Sequence, residues 1–389
     1  MALRTPPASA SDSPRARVES GEARPLRVCL VPFYHDNPYQ QQLVDHLGRL
    51  GILVTTRERL KGLVRDVRES VEPPDVVHLH WLPGFDGKPV VIIRLIMFML
   101  RVMLLRWQGV RIVWTVHNLY AHEGSHRWVE RLFIRDIVRC SSRLIVHSRT
   151  AAQIVRREFA IRDQGKLVVI PHGHYLDSYP NTVSQAEARR ELGLPPDQPV
   201  LLFLGKIRPY KGVLTLVRTF QMIAPPTATL LVAGSPNSDE IIDEIRAEIR
   251  GPNVRLEPGY VPDERVQVYM NAADAVVFPY QDVLTSGAVI LAMSFGKAGI
   301  AARLGCICDV LDESGGLLYD ARHPDGLRSA LQTALEQPER LKQMGHYNRE
   351  RARAWNWETV AQATKQVYDS VGREEERTEP GSAAATYCS

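Results

Sequence analysis

The chain has 389 residues, 44% hydrophobic and 24% charged, with a formal net charge of +4. It is too long for one ordinary core and fits two domains of about 150 to 180 residues, while so small a charge, with no RNA or DNA motif beside it, gives no argument for nucleic acid. Five cysteines, Cys29, Cys140, Cys306, Cys308 and Cys388, are scattered without a CxxC pair, which argues against a disulfide framework and a zinc site and for a reducing cytoplasm.

Residues 1–24 are rich in Pro, Ser, Ala and charge and lack the apolar stretch of a signal peptide, so a disordered tail is expected there and again over 373–389. Apolar runs of strand length then alternate with helical stretches: LRVCLVP, GILVTT, DVVHLHW, RIVWTVH, RLIVHS and LVVIPHG. A polar connection from Ser178 to Pro195 follows, and the alternation resumes with VLLFLG, TLLVAG, VRLEPG, DAVVFPY, AGIAA and GLLYD. Continuous apolar strands separated by helices predict parallel sheets covered on both faces. Two such halves predict an α/β chain of two Rossmann-like domains, 25–180 and 181–354, facing across a cleft at the carboxyl ends of their strands.

Within the first half, His78 and His80 share a strand face. No third ligand is spaced to join them in a metal site, so they are expected to line the cleft floor or pack beneath it. The run PVVIIRLIMFMLRVMLLRWQG is apolar enough to suggest a membrane span, yet Arg94, Arg101 and Arg106 interrupt it. A charge at mid-bilayer costs about 2.5 kcal/mol or more, which favours an amphipathic surface helix. The next helix places Arg127, Arg131, Arg135 and Arg139 at four-residue steps, answered only in part by Glu130 and Asp136. Such a stripe invites anionic lipid, and peripheral contact with the inner face of a membrane is expected through these arginines with Arg94 and Arg101. In RIVWTVHNLYAHEG a strand ends at His117, where an imidazole can hydrogen-bond a hydroxyl or shuttle a proton; His122 and Glu123 follow on the loop.

The second half opens on VLLFLGKIRPYKG. Gly205 and Gly212 allow a ligand close to the backbone, while Lys206, Arg208 and Lys211 bring cations to a helix start whose amides already favour anions. This is the composition of a diphosphate cradle, distinct from a Walker loop and from the GxGxxG fingerprint, neither of which occurs in the chain.

The loop resembles the phosphate-contacting segment of the GT-B glycosyltransferases of family 4, or group 1, whose pattern is G-R-x-x-x-x-K-G. Lys206 stands at the arginine position and Lys211 at the lysine; lysine keeps the charge but loses the bidentate fork. PHGHYLDSYP is similar to the family's P-N-G-V-D crossing between domains, with His172 in place of asparagine and Gly173 supplying the turn. The loop from Gly259 to Pro262, with Tyr260, matches the place where the nucleotide base is held, and Gly234 with Ser235 closes the strand before it. In PYQDVLTSGAVILAMSFGKAGIAA, Val283 and Leu291 occupy the positions of the family's two E-x7-E glutamates. Asp282 stands beside the first position, and Thr285, Ser286 and Gly287 lead into a helix whose amides can hold a phosphate. This TSG sequence is similar to the loop of beta-mannosyltransferases of the chitobiosyldiphosphodolichol type, which invert configuration.

The resemblance implies transfer of a hexose from a nucleotide-diphosphate sugar to a glycan or lipid-linked sugar, in polysaccharide or glycolipid synthesis, with no metal or other cofactor. Catalytic candidates are His117, Glu123 and Asp282, with Asp36 a further possible base; donor-binding candidates are Gly205, Lys206, Arg208, Lys211, Gly234, Tyr260, Thr285, Ser286 and Gly287. It also implies that a C-terminal helix, 355–371, packs back on the first domain. The rival reading is a catalytically silent partner that keeps the fold and binds a glycan or another transferase. A Rossmann-type epimerase or dehydrogenase lacks its glycine fingerprint and its YxxxK pair here.

Overall fold

A computed structural model describes residues 24–70, 72–84, 89–120 and 127–376. Six parallel strands form the first sheet: β1 (Arg27–Val31), β2 (Leu53–Thr56), β3 (Val76–Leu79), β4 (Arg111–Thr115), β5 (Arg143–Val146) and β6 (Leu167–Val169), in the order 2-1-3-4-5-6. Their connections carry α1 (Pro38–Arg49), α2 (Leu63–Glu69), α3 (Pro89–Trp107), α4 (Arg127–Cys140) and α5 (Arg149–Glu158). After α6 (Gln185–Glu191) comes a second parallel sheet of β7 (Val200–Leu204), β8 (Thr229–Gly234), β9 (Val254–Pro258), β10 (Ala275–Phe278), β11 (Ala298–Ala302) and β12 (Gly316–Tyr319), ordered 12-11-10-7-8-9. Between and after these strands lie α7 (Val213–Ile223), α8 (Asp239–Glu248), α9 (Asp263–Ala272), α10 (Gly287–Ser294), α11 (Ile307–Val310), α12 (Gly326–Glu336), α13 (Pro338–Arg353) and α14 (Trp357–Glu376).

Every residue of β3, β7, β8, β10 and β11 is buried, which is why, His78 and Thr229 aside, these strands read as apolar runs. The edge strand β2 instead alternates exposed and half-buried residues. The two sheets follow the two common doubly wound orders, with the chain reversing direction across the sheet between β1 and β3 in the first and between β7 and β10 in the second. Ligands in such sheets collect beyond the strand ends at these reversals. Those ends carry His80 after β3, Gly205 after β7 and Pro279 after β10.

Local signals set the helix starts. Asn37 caps α1, Ser148 caps α5, and Ser184 with Glu187 forms a reciprocal capping box on α6. The last helix, α14, packs on α1, where Trp357, Val360 and Tyr368 join Tyr39, Leu43 and Leu47 in one apolar cluster. It runs to Glu376, five residues beyond the end at 371 that the sequence suggests. The α3 helix lies on the surface, but its outward stripe is apolar rather than polar, so the amphipathic pattern expected from sequence is absent.

Candidate functional site

At the end of β7 the backbone turns sharply. Gly205 has φ +136° and Gly234, at the end of β8, has φ +142°; a Cβ on Gly234 would lie 1.9 Å from the Gly205 carbonyl oxygen. No side chain fits between these strand ends, so the loop after β7 is held against β8, with Ile207 N donating to Ser235 O at 2.8 Å. A short 3-10 turn over Pro209–Lys211 then leads to Gly212, φ +69°, at the start of α7. There too a Cβ would strike backbone, 2.1 Å from the Pro279 oxygen, so α7 begins in direct contact with the segment after β10.

These contacts bring the cations together. Lys206 is exposed, Arg208 and Lys211 are half-buried, and the Lys211 ammonium sits over the Tyr280 ring at 5.5 Å from its centroid. Burial, and then the charges of Arg208 and Lys206, lower the Lys211 pKa to about 8. A lysine that loses its proton this readily lies in an environment short of negative charge, one that an anion would complement.

The segment after β10 carries Asp282, Thr285, Ser286 and Gly287 to the other side of this site. Ser286 is the N-cap of α10 but makes no capping hydrogen bond, and its hydroxyl lies 3.5 Å from the Tyr280 hydroxyl. The α10 amides therefore lack the usual side-chain acceptor. Thr285 points elsewhere: its hydroxyl donates to the His117 carbonyl at 2.8 Å, tying the second half to the first. Leu284 is buried among the apolar residues of the first half. Asp282 is exposed and lines a cavity of about 310 Å³ with Leu119, Tyr120, Arg127 and Glu158. Val283 and Leu291 are both half-buried. Tyr260 is exposed beyond β9, where the charges of Asp263 and Asp36 contribute to raising its pKa after the leading effect of desolvation.

Facing this loop, His117 is buried at the end of β4. Its Nε2 is 3.2 Å from His80 Nδ1, and Trp81 stacks on its ring at 4.3 Å. His147, at the end of β5, lies 5.3 Å from His117 between ring centroids and 5.3 Å from His172. Tyr39 stands amid them, 5.4 Å from His117 and 4.7 Å from His172. Burial, then neighbouring histidines, holds His117 well below the ordinary histidine pKa, so it is neutral near pH 7. His147 Nδ1 donates to Ile170 O at 3.0 Å, and its Nε2, like His80 Nε2, is buried without a hydrogen-bond partner among the described residues. His78 bonds the Tyr368 and Thr115 hydroxyls, each at 2.7 Å, and so packs beneath the floor. Among the described residues no group of His, Cys, Asp and Glu is placed to hold a metal ion.

The crossing between the halves closes the ring of residues. His172 Nδ1 donates to Gly173 O at 2.7 Å, while its Nε2 and the Tyr175 hydroxyl face Gly287 at the start of α10. Gly173 is needed for packing, since a Cβ there would lie 2.4 Å from the Trp357 ring. Glu123 and His122 lie outside the described residues. Sequence reasoning passed over Tyr39, Trp81, His147 and Leu284. Of these, His147 carried the same signal as His117, a histidine closing an apolar strand.

Each half of the chain matches a known family. Residues 184–351 match the model for glycosyl transferases group 1, and residues 2–173 match the model for a glycosyl transferase 4-like domain. The two halves of the chain thus match two glycosyltransferase families, the second half that of group 1. The two parallel sheets are the GT-B architecture. A D-inositol 3-phosphate glycosyltransferase from Segniliparus rotundus is 30% identical over 68% of this chain and 62% of its own length, so this chain spans under two thirds of that relative. A GDP-mannose:glycolipid 4-beta-D-mannosyltransferase from Xanthomonas campestris pv. campestris is 28% identical over 77% of this chain and 80% of its own. The crystal structure of Anabaena Alr3699/HepE in complex with UDP-glucose superposes with a TM-score of 0.68 at 16% identity, over 89% of this chain and all of that one, a likeness of fold.

Proposed function

We propose that this glycosyltransferase moves a hexose from a nucleotide-diphosphate sugar to a glycan or lipid-linked sugar, with inversion and without a metal ion, in polysaccharide or glycolipid synthesis on the cytoplasmic side of a membrane. The observation that carries the reading is Lys211, half-buried beside Arg208 and Lys206 and opposite the uncapped start of α10. When the glycosidic bond to the diphosphate breaks, negative charge grows on the leaving oxygen. Fixed cations and helix amides stabilise that charge more in the transition state than in the ground state, which is the condition for catalysis. On this reading Lys206 meets the diphosphate as an exposed point charge, and Gly205 and Gly234 keep the strand ends clear for it. Tyr260 flanks the base.

Inversion requires a base on the acceptor hydroxyl. Asp282, exposed in the cavity between the halves, is our assignment, and the neutral imidazole of His117 positions a sugar hydroxyl; Glu123 is retained as a second candidate. The relative named for 4-beta-mannosyl transfer from GDP-mannose supports a mannosyl donor and a glycolipid acceptor. GDP-mannose holds its sugar as the α-anomer, so a β-linked product requires inversion.

Lys211→Ala is expected to lose transfer by about 10²-fold or more, with an unchanged melting temperature. Full activity in that variant would remove the donor-site assignment. The anomeric configuration of the product, read by NMR, tests inversion, and activity in EDTA tests metal independence. Val283 and Leu291, where the family pattern has glutamates, favour the rival reading of a silent partner. GDP or UDP binding without turnover on any acceptor would support that rival.

A further inference from the structure

The outer face of α3 is a continuous apolar stripe. Val91, Leu95, Val102 and Leu105 point into the core, while Ile93, Ile96, Met97, Leu100, Leu104 and Trp107 are all exposed at helical spacing on the opposite side. Trp107 is 85% exposed, which no folding argument explains. The neighbouring helix extends the patch: α3 packs on α4 through Phe98 and Phe133, and α4 exposes Trp128 and Leu132.

Cations border this apolar surface. Arg94 and Arg101 flank the stripe on α3, and Arg127, Arg131, Arg135 and Arg139 run along α4. Arg131 pairs with Glu158 and Arg139 with Asp136, whereas Arg94, Arg101, Arg127 and Arg135 make no ion pair among the described residues. Beside α4 lies a groove of about 890 Å³ whose apolar wall includes Trp128, Leu132 and Phe159 and whose rim includes Arg131, Arg135 and Lys166. No helix among the described residues is long and apolar enough to cross a membrane.

From this geometry we infer that the α3 and α4 face seats on an anionic lipid leaflet, with the apolar stripe entering the acyl boundary and the groove taking an acidic lipid headgroup. Charge selects this occupant over a second copy of the chain, since a two-fold contact through the same face would set the arginine row against itself. Neutral lipid would satisfy the stripe but leave the arginines unanswered. At its first turn α4 also brings Arg127 to the cavity that Asp282 lines, so an acceptor anchored in that leaflet would emerge beside the cleft.

The test is flotation of the full chain with vesicles of phosphatidylcholine alone or mixed with phosphatidylglycerol. Binding should need the anionic lipid, weaken with salt and blue-shift tryptophan emission. Ile96→Asp with Leu100→Asp should abolish it, and Arg131→Gln with Arg135→Gln should weaken it by about fivefold per arginine. Met222→Asp, at an exposed apolar residue on α7, should change nothing. Circular dichroism and GDP or UDP binding show that each variant is folded, and this readout is independent of transfer. Failure to float with any vesicle, wild-type binding by both double variants, or a dimer dissolved by Ile96→Asp with Leu100→Asp would overturn the inference.

Discussion

The strand ends of the two halves meet across one cleft, yet they bring opposite chemistry to it. Beyond β7 and β10 the chain offers cations and helix amides, half open, with Lys211 at a pKa of about 8. Beyond β3, β4 and β5 it offers His80, His117 and His147, all buried and all held neutral. Both are products of desolvation. A lysine near like charges keeps enough exposure to be answered by a ligand, whereas stacked imidazoles in an aromatic nest give up their charge instead. On the proposed function the first kind of site stabilises a charged leaving group, and the second positions hydroxyls without adding charge.

A large effect is expected from a single substitution that breaks the backbone contact on which the cationic side rests. Gly234→Ala forces a Cβ into the Gly205 carbonyl at a φ that L-residues avoid, and should cost on the order of 3 kcal/mol. A wild-type urea midpoint in that variant would show that β7 and β8 separate freely. Acid challenges the neutral side next. The folded pKa is about 4 for His147 and about 3 for His78 and His172, against an ordinary value of 6.5, so the unfolded chain binds more protons between these limits. Stability should then be fully present above about pH 6.5 and fall toward pH 4, by on the order of 1.4 kcal/mol per histidine per pH unit. A melting temperature flat over that window would mean that the cluster hydrates readily.

A third comparison titrates the cationic side. Free enzyme should lose donor capture, measured as kcat/KM for the nucleotide sugar, as pH rises through about 8 and Lys211 gives up its proton. A profile still rising well above that pH would place the essential cation elsewhere. The smallest effect concerns the tie between the sides. Thr285→Val removes the hydroxyl bonded to the His117 carbonyl and should cost on the order of 1 kcal/mol, with a change in KM rather than in fold. Equal stability and KM would show that the tie is dispensable.

Much of this was legible in the residues. Twelve apolar runs separated by helices specify two parallel sheets, because a strand covered on both faces has no polar side to present. That Lys206, Arg208 and Lys211 lie close together was readable because glycines and cations crowd one short loop, a local pattern. The α3 run announced a surface helix through its arginines, although not that its outer face would be apolar. His147 escaped notice although it closes a strand as His117 does, and Thr285, expected beside the donor, bonds the opposite half. Local propensity and pattern thus determined the elements and the loop chemistry. Only the tertiary structure decided which strand ends share a nest, that Tyr39 and Trp81 join the histidines, and that Leu284 plugs the first half, because those contacts join residues far apart in the chain and their energy exists only once the sheets are packed.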